Sequence, residues 1–337
     1  MDLQTFRAPW WQPGGHVQTI WSALCSRRSV AGDAPLRWRR ERWETPDGDF
    51  IDVDFSGHAP AAQVPLLVLF HGLEGSSSSH YALALAQVCA QRGWSLAVPH
   101  FRGCSGEPNR LPRAYHSGDA DEVDWILRQL RPRMRGGLLA MGVSLGGNAL
   151  ARWAGLQRQA AAELVTAAAV VCAPLDLVAG GANLGRGLNR WLYTPMFMRT
   201  LVPKALAKWQ QSPGLFDRAR LQRARTLHAF DDVFTGPVHG FRDADDYWRR
   251  ASAKPLLKQV ALPLLLLNAR NDPFVPADSL PGPGDVSASV QLWQPPHGGH
   301  VGFSSGAWPA HVQAMPLAVT QWLAQWLEPS NEECGNG

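Results

Sequence analysis

Residues 138–150, which read LLAMGVSLGGNAL, decide the fold of this chain. Residues 138–143 form an apolar run that predicts a buried strand, and residues 148–156 are compatible with a helix. Between them, residues 142–146 fit the pattern G-x-S-x-G, in which a serine stands at a sharp turn from strand to helix. The two glycines let strand and helix approach closely, and the helix N-terminus directs N–H groups at the serine. The stretch predicts that Ser144 is an exposed nucleophile; the alternative is a glycine-rich turn with an idle serine.

The composition is that of an ordinary globular protein. The chain has 337 residues, of which 45% are hydrophobic and 18% are charged, and its net charge is +4. The densest basic cluster, residues 37–42 (RWRRER), is interpreted as the solvated face of a strand; contact with phosphate or acidic lipid is the alternative. This charge pattern predicts no nucleic-acid binding.

Membrane-spanning and secretory segments are not predicted. Residues 1–11 lack a basic stretch followed by a long apolar run, so we expect no signal peptide. The longest apolar runs, 64–70 and 262–267, are too short to cross a bilayer, which leaves peripheral membrane contact open. Five scattered cysteines without metal-ligand spacing indicate reduced thiols and a cytoplasmic location. The oligomeric state stays open.

Strands and helices alternate through most of the chain, which predicts an α/β fold with a doubly wound, mostly parallel sheet. Apolar runs at 64–70, 94–98, 138–143, 165–172, 262–268 and 289–293 predict buried strands, and helices are predicted at 79–92, 118–130 and about 308–327. Asp47-Gly48 predicts a hairpin between two antiparallel edge strands at 36–44 and 50–55.

The alternation stops between residues 176 and 254, where helix-compatible pieces at 184–208 and 216–234 are rich in aromatic side chains. An insertion between successive strands is typical of a cap over the edge of the sheet that binds ligands. We therefore predict the following division: an N-terminal arm (1–35) packed on the body, a core (36–175 and 255–328), a helical cap (176–254) and a flexible tail (329–337).

A serine nucleophile needs an acid that orients its base. Asp272 lies just past the apolar strand at 262–268, so its carboxylate is predicted to reach the loops at the end of the sheet and to act as this acid. The alternative is that Asp272 and Pro273 only form a turn. Asp176 also follows a predicted strand, but it opens the cap and is more simply explained as a helix cap.

The base is predicted to be His300, which lies between Gly299 and Gly302 in a loop that can fold tightly. Neutral imidazole, with an ordinary pKa of about 6.5, accepts a proton near neutral pH. The alternative is His297, which follows two prolines. Other histidines and the pair Asp231-Asp232 lack metal-ligand spacing, so no metal and no cofactor are predicted.

An oxyanion hole needs two N–H donors. One is the residue after the nucleophile, Leu145. The other is expected in the loop after the first buried strand, residues 71–75 (HGLEG), where we select the backbone of Leu73.

These motifs together resemble the YheT-like branch of the α/β-hydrolase superfamily. The shared segments are 71–75 (HGLEG), 101–106 (FRGCSG), 115–119 (YHSGD), 142–148 (GVSLGGN), 230–232 (FDD), 239–241 (HGF), 271–273 (NDP) and 299–303 (GHVGF), and they span most of residues 10–325. The resemblance implies an α/β-hydrolase fold and a triad of Ser144, Asp272 and His300. The arm departs from the family pattern: the relatives have an Asn-Pro-His-type sequence before Gln-Thr, where this chain has residues 14–19 (GGHVQT). The resemblance therefore assigns no role to the arm.

We therefore expect a serine hydrolase that cleaves short- to medium-chain carboxylic esters through an acyl-enzyme on Ser144. The resemblance also implies alternatives, because some relatives act on phospholipids and some transfer the acyl group to an alcohol. A non-catalytic binding module is the alternative from another class. The inner face of the cap is expected to form an apolar acyl pocket, built from Leu188, Trp191, Leu192, Tyr193, Met196, Phe197, Met198, Leu201 and Trp209.

Overall fold

The computed structural model describes residues 3–28, 36–57 and 63–327. The predicted tail, 329–337, and the last residues of the predicted arm, 29–35, lie outside these ranges. Within the described part of the arm, the side chains of Leu3 and Phe6 are buried in a core cluster that also contains Leu67 and Leu69.

The described residues form one sheet of eight strands at the centre of the molecule. The strands are β1 (Arg39–Glu44), β2 (Phe50–Ser56), β3 (Leu66–Phe70), β4 (Ser95–Pro99), β5 (Leu138–Val143), β6 (Ala167–Val171), β7 (Leu264–Leu267) and β8 (Val290–Trp293). Their order is β1-β2-β4-β3-β5-β6-β7-β8. β1, β2 and β4 pair antiparallel, whereas β3 to β8 are parallel, so the predicted doubly wound and mostly parallel sheet is confirmed.

The helices cover both faces of this sheet. They are α1 (Gly14–Leu24), α2 (His80–Gln91), α3 (Ala120–Leu130), α4 (Leu145–Gln157), α5 (Gln159–Leu164), α6 (Leu177–Leu184), α7 (Gly187–Leu192), α8 (Thr194–Gln211), α9 (Arg218–Arg223), α10 (Leu227–Phe230), α11 (Gly236–Val238), α12 (Ala244–Ala251) and α13 (Ala314–Ala324). The last helix is shorter than predicted, because it begins at Ala314 with Pro316 in its first turn, where a missing N–H costs no helical hydrogen bond.

The central strands are apolar on both faces because each face packs against helices. On β5, Leu138 and Ala140 join a core cluster with α3 and α4, while Leu139, Met141 and Val143 join a second cluster with α2 and α13. This alternation follows from the two-residue period of a strand. Because β3, β5, β6 and β7 run parallel to one another, their carboxyl ends lie at the same edge of the sheet.

The basic cluster 37–42 lies in part on the edge strand β1, as interpreted from the sequence. In the antiparallel register Arg40 faces Asp54 and Arg42 faces Asp52. The Nε atoms of both arginines lie 2.7 Å from their partner carboxylates. These cations are thus neutralised across the hairpin.

Helices α6 to α12 lie between β6 and β7, in the segment that breaks the alternation of strands and helices. They have an apolar cluster of their own, which includes Met198, Leu201, Phe216, Phe230 and Phe234. No helix within the described ranges is both long enough and apolar enough to cross a membrane.

The prediction of the acyl pocket is wrong for four of its nine side chains. Leu188, Trp191, Leu192 and Met196 are 42–77% exposed instead of buried. On α7 the first three share one helical face that points to solvent, whereas Asn189 is buried and donates to the carbonyl of Pro273 at 2.6 Å. The polar residue, and not the apolar ones, attaches this helix to the body.

Candidate active site

Ser144 lies at the turn between β5 and α4 with φ 54° and ψ −118°, a strained conformation for a residue with a side chain. The turn is possible because Gly142 and Gly146 lack a Cβ; one at Gly142 would lie 2.5 Å from the Gly146 carbonyl oxygen. The Ser144 N–H donates to the Val171 carbonyl at 2.9 Å. Leu145 opens α4, so its N–H is one of the donors at a helix start that lack an intrahelical acceptor.

A chain of two hydrogen bonds joins Ser144 to His300 and Asp272. Ser144 Oγ lies 3.0 Å from His300 Nε2, and His300 Nδ1 lies 2.8 Å from Asp272 Oδ2. An ionised carboxylate only accepts, so the proton of a neutral imidazole sits on Nδ1 and the lone pair of Nε2 faces the serine hydroxyl. This is the arrangement in which a histidine can take the serine proton.

The Asp272 carboxyl is fully buried and held by the backbone that follows it. Its Oδ1 accepts from the N–H groups of Phe274 at 2.7 Å and Val275 at 3.3 Å. Oδ2 is left to His300. The turn after β7 thus directs one carboxylate oxygen at the imidazole, as its place behind the strand predicts.

The two alternative residues have other contacts. Asp176 caps α6 by accepting from the N–H of Ala179 at 3.0 Å. From the sequence, this helix cap is the simpler explanation of Asp176. His297 is half-buried, and its Nδ1 bonds no group within the described part of the chain. The structure therefore brings together Ser144, Asp272 and His300 and leaves Asp176 and His297 outside this hydrogen-bonded chain.

The loop at residues 71–75 packs against the serine. A Cβ on Gly72 would lie 3.2 Å from Ser144 Cβ. His71 holds the start of this loop: its Nε2 accepts from the Phe101 N–H at 3.0 Å, and its Nδ1 donates to the Gly72 carbonyl at 2.8 Å. Burial lowers the pKa of His71 to about 3, so the ring is neutral and this tautomer is the one its partners allow.

Two tyrosines fix the backbone of the same loop. Tyr81 Oη accepts from the Gly72 N–H at 2.9 Å. Tyr115 Oη accepts from the Glu74 N–H at 2.9 Å and donates to the Glu74 carboxylate at 2.8 Å. The N–H groups of Gly72 and Glu74, on either side of Leu73, thus donate to tyrosine oxygens, which holds the backbone around Leu73 in place.

A cavity of about 580 Å³ opens above Ser144 and His300. Its lining is mainly apolar and comes largely from the helices between β6 and β7, through Leu177, Leu184, Phe197, Leu201, Phe230, Phe234 and Trp248. Phe274 packs on the His300 ring, with 4.1 Å between centroids. Of the side chains predicted to build the pocket, Phe197 and Leu201 are present in it.

Polar groups occupy a limited part of this cavity. Lys204 Nζ lies 2.8 Å from the Glu74 carboxylate, beside Cys104. Burial raises the pKa of Cys104 to about 12, so its thiol is protonated and is not a competing nucleophile. Asp231 accepts from Trp248 Nε1 at 2.8 Å, and burial raises its pKa to about 6.

One group of potential metal ligands occurs among the described residues: Cys172, Asp272 and His300, with ligand atoms within 4.8 Å of one another. The imidazole and carboxylate of this group bond each other directly, and burial raises the pKa of Cys172 well above its usual value. A protonated thiol and an engaged imidazole N–H are poor ligands. The donor set therefore fits the hydrogen-bonded chain better than a metal.

Several residues that support the site were not found from the sequence. Besides His71, Tyr81 and Tyr115, they include Gln18 and Thr19 of α1, which bond the loop that carries His300. From the sequence, Gln18 and Thr19 were assigned only to the N-terminal arm, without a role at the site. The contacts of Gln18 and Thr19 join positions about 280 residues apart in the chain, and no local sequence pattern predicts such contacts.

Comparisons with known proteins place the chain among hydrolases. Residues 65–307 match the family model for the alpha/beta hydrolase fold. The chain is 39% identical over 292 residues to the "Putative esterase YheT" of Escherichia coli (strain K12), covering 86% of this chain and 85% of that protein. It is 28% identical over 315 residues to "Phospholipase ABHD3" of Mus musculus, covering 91% of this chain and 76% of that protein.

Solved structures show the same fold at low identity. The esterase Pf2001 of Pyrococcus furiosus matches with a TM-score of 0.53 and 14% identity, over 89% of this chain and 97% of that one. Est1E of Butyrivibrio proteoclasticus, solved with ferulic acid, matches with a TM-score of 0.55 and 13% identity, over 85% of this chain and 98% of that one. At such identities the likeness concerns the fold alone.

Proposed function

We propose, from the premise that this chain belongs to the α/β-hydrolase family in its YheT-like branch, that it is a serine esterase for short- to medium-chain carboxylic esters. Membership in the family confirms the predicted fold class and supports a hydrolase role. The ester specificity, the acyl-enzyme and the roles of individual residues are the proposal. One observation carries the proposal: His300 lies within hydrogen-bond distance of both other residues. Its Nε2 is 3.0 Å from Ser144 Oγ, and its Nδ1 is 2.8 Å from Asp272 Oδ2.

In the proposed reaction, Ser144 Oγ attacks the ester carbonyl carbon while His300 Nε2 takes the hydroxyl proton. Asp272 holds the imidazole and stabilises its positive charge. When the tetrahedral intermediate collapses, the bond to the alcohol breaks and His300 returns the proton to the leaving alkoxide. Water, deprotonated by the same imidazole, then attacks the acyl carbon. The bond from that carbon to Ser144 Oγ breaks, His300 returns the proton to Oγ, and the acid is released.

The backbone N–H groups of Leu73 and Leu145 are the proposed oxyanion donors. Support comes from the approach of the loop 71–75 to Ser144 and from the position of Leu145 at the start of α4. His71, Tyr81 and Tyr115 already hold the loop backbone, so little reorganisation is required as charge develops on the carbonyl oxygen.

The segment 176–254 is the proposed cap, and its inner face the proposed acyl pocket. Its helices supply most of the apolar lining of the 580 Å³ cavity above Ser144. An acyl chain in this cavity gains about 0.8 kcal/mol for each buried methylene, close to a fourfold change in binding per carbon.

We expect kcat/KM to rise from acetyl toward butyryl or longer p-nitrophenyl esters and to fall once the cavity is full. Leu184→Trp, which narrows the cavity, should move the optimum to shorter chains. Leu188→Trp makes the same change on the solvent side of α7 and should leave the optimum in place. A flat profile, or one that falls steadily from acetyl, would show that these side chains do not line the acyl site.

Acyl transfer to an alcohol is the second candidate, because an apolar cavity disfavours water as the acceptor of the acyl group. The discriminating measurement supplies an ester with excess alcohol and compares new ester with free acid. A lipase acting on lipids is the third: a relative bears the name phospholipase, and the exposed apolar side chains of α7 would suit contact with a lipid surface. A non-catalytic role is disfavoured by the three-residue hydrogen-bonded chain.

A cytoplasmic location is also part of the proposal. Its support is the chemistry of the cysteines, since Cys25, Cys89, Cys104 and Cys172 of the described residues are unpaired. Unpaired thiols are typical of a reducing compartment.

A further inference from the structure

We infer that the N-terminal helix α1 positions the general base, with Thr19 and Gln18 as positioning residues for the loop that carries His300. This inference rests on the proposed function. Thr19 and Gln18 lie outside the segment 65–307 that matches the family model.

Thr19 makes the contact nearest to the base. Its Oγ1 accepts from the backbone N–H of His300 at 2.8 Å and donates to the Gly15 carbonyl at 2.7 Å. The hydroxyl hydrogen is thus committed within α1, and a lone pair is directed at His300. The side chain of Thr19 is buried, so water does not readily replace this oxygen.

Gln18 joins the loop of the base to the loop of the acid. Its Oε1 accepts from the Gly298 N–H and from Asn271 Nδ2, both at 2.9 Å. Asn271 precedes Asp272, and its own Oδ1 accepts from the Gly299 N–H at 3.0 Å. The relative position of the two loops therefore depends on a buried side chain of α1.

The loop that carries His300 needs such contacts because its backbone is strained. Val301 and Phe303 have φ values of 56° and 45°, a backbone conformation that residues other than glycine rarely adopt. From the other side, His80 Nε2 donates to the Val301 carbonyl at 3.1 Å. α1 closes the remaining side, where a Cβ on Gly302 would lie 2.6 Å from the Gln18 carbonyl oxygen.

The same helix reaches the face of the imidazole through a series of three aromatic rings in contact with one another. His16 of α1 stacks on Tyr193 with 5.8 Å between centroids, and His16 Nδ1 lies 3.1 Å from Tyr193 Oη. Tyr193 meets Phe274 edge-on at 4.5 Å, and Phe274 covers His300 at 4.1 Å. α1 thus restrains both the backbone and the ring of His300.

The test compares three threonine variants of the full chain. Thr19→Val removes the acceptor and keeps the shape, Thr19→Ser keeps the hydroxyl, and Thr200→Val removes an exposed hydroxyl of α8 that bonds the Phe197 carbonyl. The readouts are kcat and KM for one p-nitrophenyl ester, the rate of fluorophosphonate labelling of Ser144, and the Tm.

We expect Thr19→Val to lower kcat and the labelling rate about 10- to 100-fold with KM within about twofold, since a displacement near 1 Å can cost about 100-fold. Thr19→Ser should restore both rates, and Thr200→Val should match the wild type. If Thr19→Val is not recovered folded, Thr19→Ala removes the same oxygen without new bulk.

Three results would overturn the inference: a kcat for Thr19→Val equal to that of Thr200→Val, a loss that Thr19→Ser shares, or failure of both Thr19→Val and Thr19→Ala to fold. The last would assign Thr19 to stability alone. The proposed function fails separately, when the wild-type protein neither hydrolyses the ester nor reacts with the probe.

Discussion

Ser144→Ala is expected to lower the hydrolysis of p-nitrophenyl butyrate by about 10⁴-fold or more, because it removes the only atom that forms the acyl-enzyme in the proposed reaction. The fold should survive, since alanine keeps the Cβ, and the backbone bond from residue 144 to the Val171 carbonyl remains. The measurement is kcat/KM, with the Tm recorded for the same preparation.

The control for this variant is Ser78→Ala, the same change at an exposed serine of the loop before α2. It should retain the activity of the wild type. Turnover by Ser144→Ala within a few-fold of the wild type would exclude Ser144 as the nucleophile.

Asp272→Asn is expected to lower kcat by about 10⁴-fold with little change in structure. The amide nitrogen of asparagine would donate to His300 Nδ1, which shifts the imidazole proton to Nε2 and presents an N–H to Ser144 in place of a lone pair. His300→Ala should be at least as severe, because no base would remain. Both are measured as kcat at saturating ester.

The matched controls are the two residues that the sequence offered as alternatives. Asp176→Asn should stay close to the wild type, since asparagine caps a helix as well as aspartate does. His297→Ala should be similarly mild. If either control lost more activity than its counterpart at 272 or 300, the assignment of that role would be wrong.

Local signals made two features predictable: the strands, and the positions of Ser144, Asp272 and His300 at the ends of strands. Residues 138–143 are apolar without interruption since both faces of β5 are covered, and this run leads directly into the turn at Ser144. Asp272 and His300 each follow a strand segment in the chain order Ser, Asp, His. A parallel sheet brings the carboxyl ends of its strands to one edge, so residues in these positions meet.

The supporting residues were not predictable in the same way. Thr19 and His300 are 281 positions apart, and their contact depends on how α1 packs against the finished loop. Likewise, composition indicated that α7 is apolar but not which way it faces. A helix of six residues has one apolar stripe, and only the neighbouring structure decides whether that stripe meets the cavity or the solvent.

Locating the adduct of a fluorophosphonate probe shows whether hydrolysis proceeds through covalent attachment to Ser144. The protein is labelled, digested and mapped by mass spectrometry, with Ser144→Ala and His300→Ala treated in parallel. We expect a single adduct on Ser144 in the wild type, none in Ser144→Ala and strongly slowed labelling in His300→Ala. Two results would contradict attachment to Ser144. One is an adduct on another residue. The other is rapid ester hydrolysis by a wild-type protein that the probe leaves unlabelled and active.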